Sequence, residues 1–276
     1  MVVTDSAADL PPDAAGDIRV VPLTVAFGAE AFLDGVELPA RSFWERFAVA
    51  PEPPTTASPP PESFLEVYRD CAEAGAEAIL SVHVSAPLSR TIASAEIAAR
   101  DSPIPTAVVD SRSLSLGQGL VVLAAAGAAH AANDLEAASS AARAAAHRLE
   151  VYAVLETVEF LVRGGRLGRA RAAIGGLLRI RPVLTLRGGE PALIARPRTR
   201  GRAIAEIIRR ARGSAVFSAV FHAEAAETAG VARALEEATG APPLVGLIGA
   251  VTGSHLGPQA LGVAVLRPDA SRLAGQ

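Results

Sequence analysis

The spacing of apolar positions changes several times along this chain, and each change marks an element. Val2-Val3-Thr4 is a short apolar run of the kind a buried strand makes, and Ile18 to Val25 is a second run rich in β-branched residues. From Pro61 to Ala74 the period is helical. Phe64, Leu65, Tyr68, Cys71 and Ala72 share one stripe, Pro61 stands near the first helical position, and Gly75 follows as a left-handed stop. Ala78 to Val84 and Thr106 to Val109 return to strand, and about Gly119 to Arg148 is helical with a break near Asn133-Asp134. Strands alternating with helices predict a parallel sheet.

The second half has a different rhythm. A helix over Leu155 to Arg163 ends at Gly164-Gly165, a short helix is expected around Ala172 to Leu178, and two strands, Pro182 to Leu186 and Ala192 to Arg196, flank Arg187-Gly188-Gly189-Glu190 as an antiparallel hairpin. Helix Ala203 to Arg212, strand Ala215 to Phe221, helix Glu227 to Thr239 and the strands Pro243 to Ile248 and Gly262 to Leu266 complete an α/β unit. The expected fold class is therefore α/β in two domains. Residues 1–150 form a Rossmann-like domain on a parallel sheet, and residues 151–276 form a second α/β domain whose sheet is largely antiparallel.

Composition narrows the chemistry. Half of the 276 residues are hydrophobic, enough for a sizeable core, and the formal charge of -3 gives no basic face for nucleic acid or an anionic membrane. All 26 basic residues are Arg, so Schiff-base chemistry and a phosphate-binding loop lysine are excluded. One cysteine, Cys71, permits neither an intrachain disulfide nor a thiolate metal cluster. The run Leu120 to Ala132 is too short to span a bilayer, and no charged leader or cleavage site precedes the first strand. A soluble cytoplasmic protein without cofactor or metal is the expectation.

Four clusters of small polar residues fall where strands meet helices: Asp5-Ser6, Thr55 to Ser58, Ser85 to Thr91, and Asp110-Ser111. Each alone reads as a helix cap. Four together point to a shared site for a carboxylate or phosphate, because hydroxyls and free N–H groups at such ends bind anions. Arg163 suits the end of its helix, whereas Arg166, beyond the Gly-Gly stop, is placed to grip an anion. His255 lies in Gly253-Ser254-His255-Leu256-Gly257-Pro258, a stretch that reads as too Gly-rich for helix and open to close approach by a ligand. Gly117-Gln118-Gly119 is half of a dinucleotide fingerprint, and its third small position is Val122.

The ordered motifs, taken together, resemble the DegV family along essentially the whole chain. They are Val3-Thr4-Asp5-Ser6-Ala7-Ala8-Asp9-Leu10-Pro11, Pro22-Leu23-Thr24-Val25, Asp34-Gly35, Thr56-Ala57-Ser58-Pro59, Leu88-Ser89-Arg90-Thr91, Asp110-Ser111, Leu161 to Arg166, Arg181-Pro182 and His255-Leu256-Gly257-Pro258. Four positions depart from the family pattern: Ala57 and Ser58, where the family's Thr-Ser-Gln-Pro reads Thr56-Ala57-Ser58-Pro59, Arg90 in place of Gly, and Gln259 in place of Gly. The resemblance implies two α/β domains with a long-chain fatty acid such as palmitate buried between them, the arrangement called the EDD fold. It further implies a lipid-presenting subunit with no nucleotide site of its own, partnered by a separate fatty acid kinase. By position, Thr56, Ser89 and Thr91 match hydroxyls at the acyl carboxylate, His255 matches a histidine beside it, and Arg166 and Arg196 match arginines tied to phosphoryl transfer or kinase docking. The alternative is an acyl ester or phosphate hydrolase with Ser89 as nucleophile and His255 as base.

Overall fold

The structure, a computed structural model, describes residues 1–132, 134–168 and 180–269. The helix expected around Ala172 to Leu178 lies outside them. In chain order the elements are β1 Val2–Asp5, a 3-10 turn Ser6–Ala8, α1 Pro12–Ala15, β2 Arg19–Val21, β3 Thr24–Phe27, β4 Glu30–Leu33, α2 Ala40–Val49, β5 Thr55–Ala57, α3 Pro61–Glu73, β6 Ile79–His83, α4 Thr91–Arg100, β7 Thr106–Asp110, α5 Ser115–Ala132 and α6 Leu135–Arg148. There follow β8 Leu149–Val154, α7 Glu159–Arg163, β9 Val183–Arg187, β10 Glu190–Ala195, α8 Arg200–Ala211, β11 Phe217–His222, α9 Thr228–Thr239, β12 Pro243–Leu247, α10 Ala250–Leu256 and β13 Leu261–Leu266.

Both faces of the first sheet are covered, which is why its strands read as continuous apolar runs. Its order is β2-β1-β6-β7, all parallel. Val3 and Ile79 pack with Phe64 and Tyr68 of α3 and Ala95 of α4, while Val2, Leu80 and Val82 point the other way, into the core that holds Leu120 and Val121 of α5. The second sheet, β10-β9-β8-β13-β11-β12, is antiparallel except for the β11/β12 pair. Helices α8 and α9 bury Ile207 and Leu235 on its outer face. Helix α5 contacts strands of both sheets, and its Leu116, Leu120, Val121 and Val122 are fully buried, as expected of a helix that is apolar on every side. Among the described residues no helix is long and apolar enough to cross a membrane.

Three expectations are corrected. The run Ile18 to Val25 is two strands, because Pro22 has no N–H for a ladder: β2 stays in the parallel sheet and β3 joins a small antiparallel sheet, β4-β3-β5. The helix expected from Leu155 covers only Glu159–Arg163, and the strand β8 just before it was not foreseen. Val151 and Val154 belong to cores on opposite faces of β8, so burial on both sides hides the strand period. The Gly-rich stretch around His255 is helical, forming α10. Gly253 sits inside that helix because the rings of Phe43 and Trp44 fill the space a Cβ would need.

Candidate functional site

Between the two sheets lies a cleft whose space free of protein atoms, counting the part open to solvent, is about 880 Å³. Its walls come from both halves of the chain. Leu23, Val84 and Leu114 face Val151, Leu184 and Phe221 across it, and α10 contributes Val251, Thr252, His255 and Leu256. Most of this lining is aliphatic. Thr56, Ser58, Ser89, Arg166 and His255 each supply a polar group, while Thr252 lies on α10 and Thr185 donates to the Val151 carbonyl. A second, outer depression shares Thr56, Arg166 and His255 with the cleft and adds Glu52 and Arg163, so these three residues border both.

Thr56 lies in β5 and Ser58 directly follows that strand, and both line the cleft. Thr56 Oγ1 lies 2.8 Å from His255 Nε2. Burial, and after it the positive charge of Arg166, lower the His255 pKa to about 4, so the ring is neutral near pH 7. Its Nδ1 is buried and has no partner. An N–H there would be orphaned, whereas a bare lone pair costs less, so the network assigns the proton to Nε2, which donates to Thr56 Oγ1. The Thr56 hydroxyl proton is then free to point into the cleft.

A second chain of hydroxyls has the same outcome. Ser89 Oγ accepts from the Thr91 N–H at 3.2 Å and lies 2.8 Å from Thr91 Oγ1 and 3.0 Å from Ser58 Oγ. Thr91 is fully buried and bonds no other side chain, so its hydroxyl donates to Ser89, Ser89 donates to Ser58, and the last proton faces the cleft from Ser58. Arg166 is oriented by bonds from Nε to the Leu88 carbonyl at 3.3 Å and from Nη1 to the Gly164 carbonyl at 2.5 Å, which leaves further guanidinium donors. Gly164 has to be glycine: a Cβ there would overlap His255 Nδ1.

The residues expected from sequence therefore separate into groups. Thr56, Ser89, Arg166 and His255 come together at the cleft, and Thr91 stands behind Ser89 without lining it. Arg196 lies exposed just past the end of β10, outside the lining, and Arg90 is exposed beside the first turn of α4. Ser89 bonds Ser58 and Thr91 while His255 bonds Thr56, so the nucleophile and base of the hydrolase alternative are not paired. Of the four polar clusters, two do not contribute. Asp5 accepts from Val84 N–H and Ala7 N–H and pairs with His83 Nδ1 at 3.0 Å, and Asp110 accepts from Arg112 N–H, so both cap and tie the first sheet. The half fingerprint Gly117-Gln118-Gly119 lies inside α5, where a Cβ would strike Val151 at the first glycine and Leu10 at the second; these glycines serve close packing. Ser58 was not singled out as a ligand from sequence, although its spacing from Thr56 was the available signal. Among the described residues no group of three His, Cys, Asp or Glu stands ready to hold a metal ion.

Comparison with known proteins adds the following. The model of the DegV family, described as an uncharacterised protein family, matches residues 1–267. A DegV domain-containing protein of Streptomyces coelicolor is 40% identical over 273 residues, 96% of this chain and 97% of that one. A solved structure described as fatty acid binding of a DegV family protein from Thermus thermophilus matches with a TM-score of 0.87 at 34% identity, covering 97% of this chain and 99% of that chain. DegV from Bacillus subtilis, described as a fatty acid binding protein, matches with a TM-score of 0.87 at 29% identity, covering 96% and 98%.

Proposed function

The chain belongs to the DegV family, and from that premise we propose that it holds a long-chain fatty acid such as palmitate in the cleft and presents the carboxylate to a separate kinase. Residues 1–150 and 151–276 act in this proposal as two units that clasp the lipid between them. The observation that carries it is the cluster of hydroxyls at the polar wall of a largely aliphatic cleft, Thr56 Oγ1 2.8 Å from His255 Nε2 and Ser58 Oγ 3.0 Å from Ser89 Oγ, a network that turns one proton each of Thr56 and Ser58 to the cleft. A carboxylate has lone pairs to accept both, and Arg166 supplies the compensating charge. Ser89 and Thr91 fix the direction of the Ser58 proton. Burying a C16 tail contributes roughly 12 kcal/mol of gross transfer energy at about 0.8 kcal/mol per methylene, before ordering costs. The headgroup bonds set orientation and remove the penalty of burying an unpaired carboxylate.

Presentation to a kinase is supported by the outer depression, since Thr56, Arg166 and His255 border it as well as the cleft. A headgroup bound there is approachable from outside while the tail stays covered. Arg196 is assigned to docking with the kinase on the family resemblance. Mass spectrometry of lipids extracted from the denatured, purified protein tests the carrier role: stoichiometric fatty acid is expected, and an empty protein that also ignores added palmitate overturns it. The chain alone should not hydrolyse ATP, and appreciable turnover without a partner overturns the division of labour.

A further inference from the structure

Two motif residues take no part in the cleft: Asp9, near the end of the opening motif, which is half-buried, and Asp34, before Gly35, which is buried. Both come from the first half of the chain and both bond the start of α10 in the second. Asp9 Oδ1 accepts the Gly249 N–H at 3.0 Å while its Oδ2 accepts the Ser115 hydroxyl at 2.6 Å. Asp34 Oδ1 accepts the Ala250 N–H at 3.1 Å. Gly249 must lack a side chain, since a Cβ would lie 2.6 Å from Asp9 Oδ1. Just upstream, Trp44 Nε1 donates to the Ile248 carbonyl at 2.9 Å.

The same short helix carries Val251, Thr252, His255 and Leu256 into the cleft. A helix of seven residues moves as one piece, so a shift at its first turn is felt at His255. Burial pushes Asp9 well above the ordinary carboxylate range and Asp34 up to about 6, and the charge of Asp34 adds to the shift of Asp9. Buried carboxylates that cost this much are poor sources of stability, and their geometry is the better reason for them.

We propose that Asp9 and Asp34 are positioning residues of the lipid site, holding α10 from the first half of the chain so that His255 meets Thr56. This rests on the carrier reading. The test is Asp34→Ala and Asp34→Asn in the full chain, with palmitate affinity measured alongside the His255 ring titration by NMR. Around that ring the charged neighbours lining the outer depression are Arg166, Arg163 and Glu52. Asp34→Ala should weaken palmitate binding by roughly tenfold, the scale of one bond to a charged group. It should also move the His255 midpoint from about 4 towards ~6.5 as the ring leaves its buried place. Asp34→Asn keeps an acceptor for Ala250 N–H and should leave both readouts near wild type. If Asp34→Ala does not fold, Trp44→Phe removes the neighbouring tie at Ile248 and should shift both readouts the same way. Unchanged affinity with an unchanged His255 titration overturns the proposal. If wild type takes no palmitate, the carrier reading falls and the His255 titration alone decides positioning.

Discussion

Replacing Thr56 by Val removes one hydroxyl at almost constant volume, which isolates the bond that the proposed headgroup site depends on. In the lipid complex the lost interaction is a hydroxyl donated to a carboxylate, worth about 1.5–3 kcal/mol, or roughly 10- to 150-fold in Kd. The free protein also changes, because His255 Nε2 loses the partner it holds at 2.8 Å. A largely buried N–H left unbonded costs about 1–3 kcal/mol, and the lower end applies here since the ring borders the outer depression. Titration calorimetry with delipidated protein and palmitate gives the affinity, and thermal denaturation of the same samples gives the stability. Thr56→Ser keeps the hydroxyl and should stay close to wild type in both. A Thr56→Val protein that binds palmitate with unchanged Kd would refute the assignment of the free Thr56 proton to the carboxylate.

His255→Gln addresses pH. Because the folded ring protonates only near 4, the unfolded chain binds a proton between ~6.5 and about 4 that the folded chain refuses, so this group subtracts stability as pH falls through that window. The Gln variant should lose that part of the acid decline, measured by urea unfolding at several pH values, while the opposite contribution of Asp34, raised to about 6, is common to both proteins; an equally steep acid limb in the variant counts against the buried neutral ring. Phe221→Ala, at a fully buried ring that lines the cleft and covers Gly262, should cost about 3–5 kcal/mol and widen the cavity. Lipids recovered with that variant should shift to longer or bulkier chains, and an unaltered lipid profile would show that Phe221 does not shape the tail site. Gly164→Ala should push His255 off Thr56 and weaken palmitate binding, which competition with a fluorescent fatty acid would measure; wild-type affinity would mean that the ring tolerates displacement.

Much of the fold was legible because local signals agreed. Helix α3 had its proline start, its apolar stripe and its glycine stop, and the β9–β10 hairpin had paired glycines between two apolar runs. Helix α4 went unnoticed because its alanines and small polar residues give only a faint stripe, and its burial is set by the sheet beneath it. Helix α10 was misjudged for a tertiary reason: Gly249 and Gly253 are dictated by Asp9, Phe43 and Trp44, which arrive from far away in sequence. At the candidate site, the motif residues Thr56, Ser89, Arg166 and His255 could be named from sequence, and they line one cleft. The direction of proton donation could not, since it depends on Thr91 being fully buried and on His255 Nδ1 lacking a partner.

Helix α5 has a consequence for how a lipid could leave. One continuous core runs from Val2 and Val82 of the first sheet through Leu116 and Val122 to Phe221 and Ala264 of the second. Prising the sheets apart would strip this helix on one side and expose its leucines and valines to water, so wholesale gaping of the two halves is an expensive route. The cleft is instead bordered at its polar end by small pieces, namely β5, α7 and α10. Escape kinetics should then follow local opening of those pieces, with a lifetime well short of that of the folded chain and little sensitivity to changes that alter global stability alone.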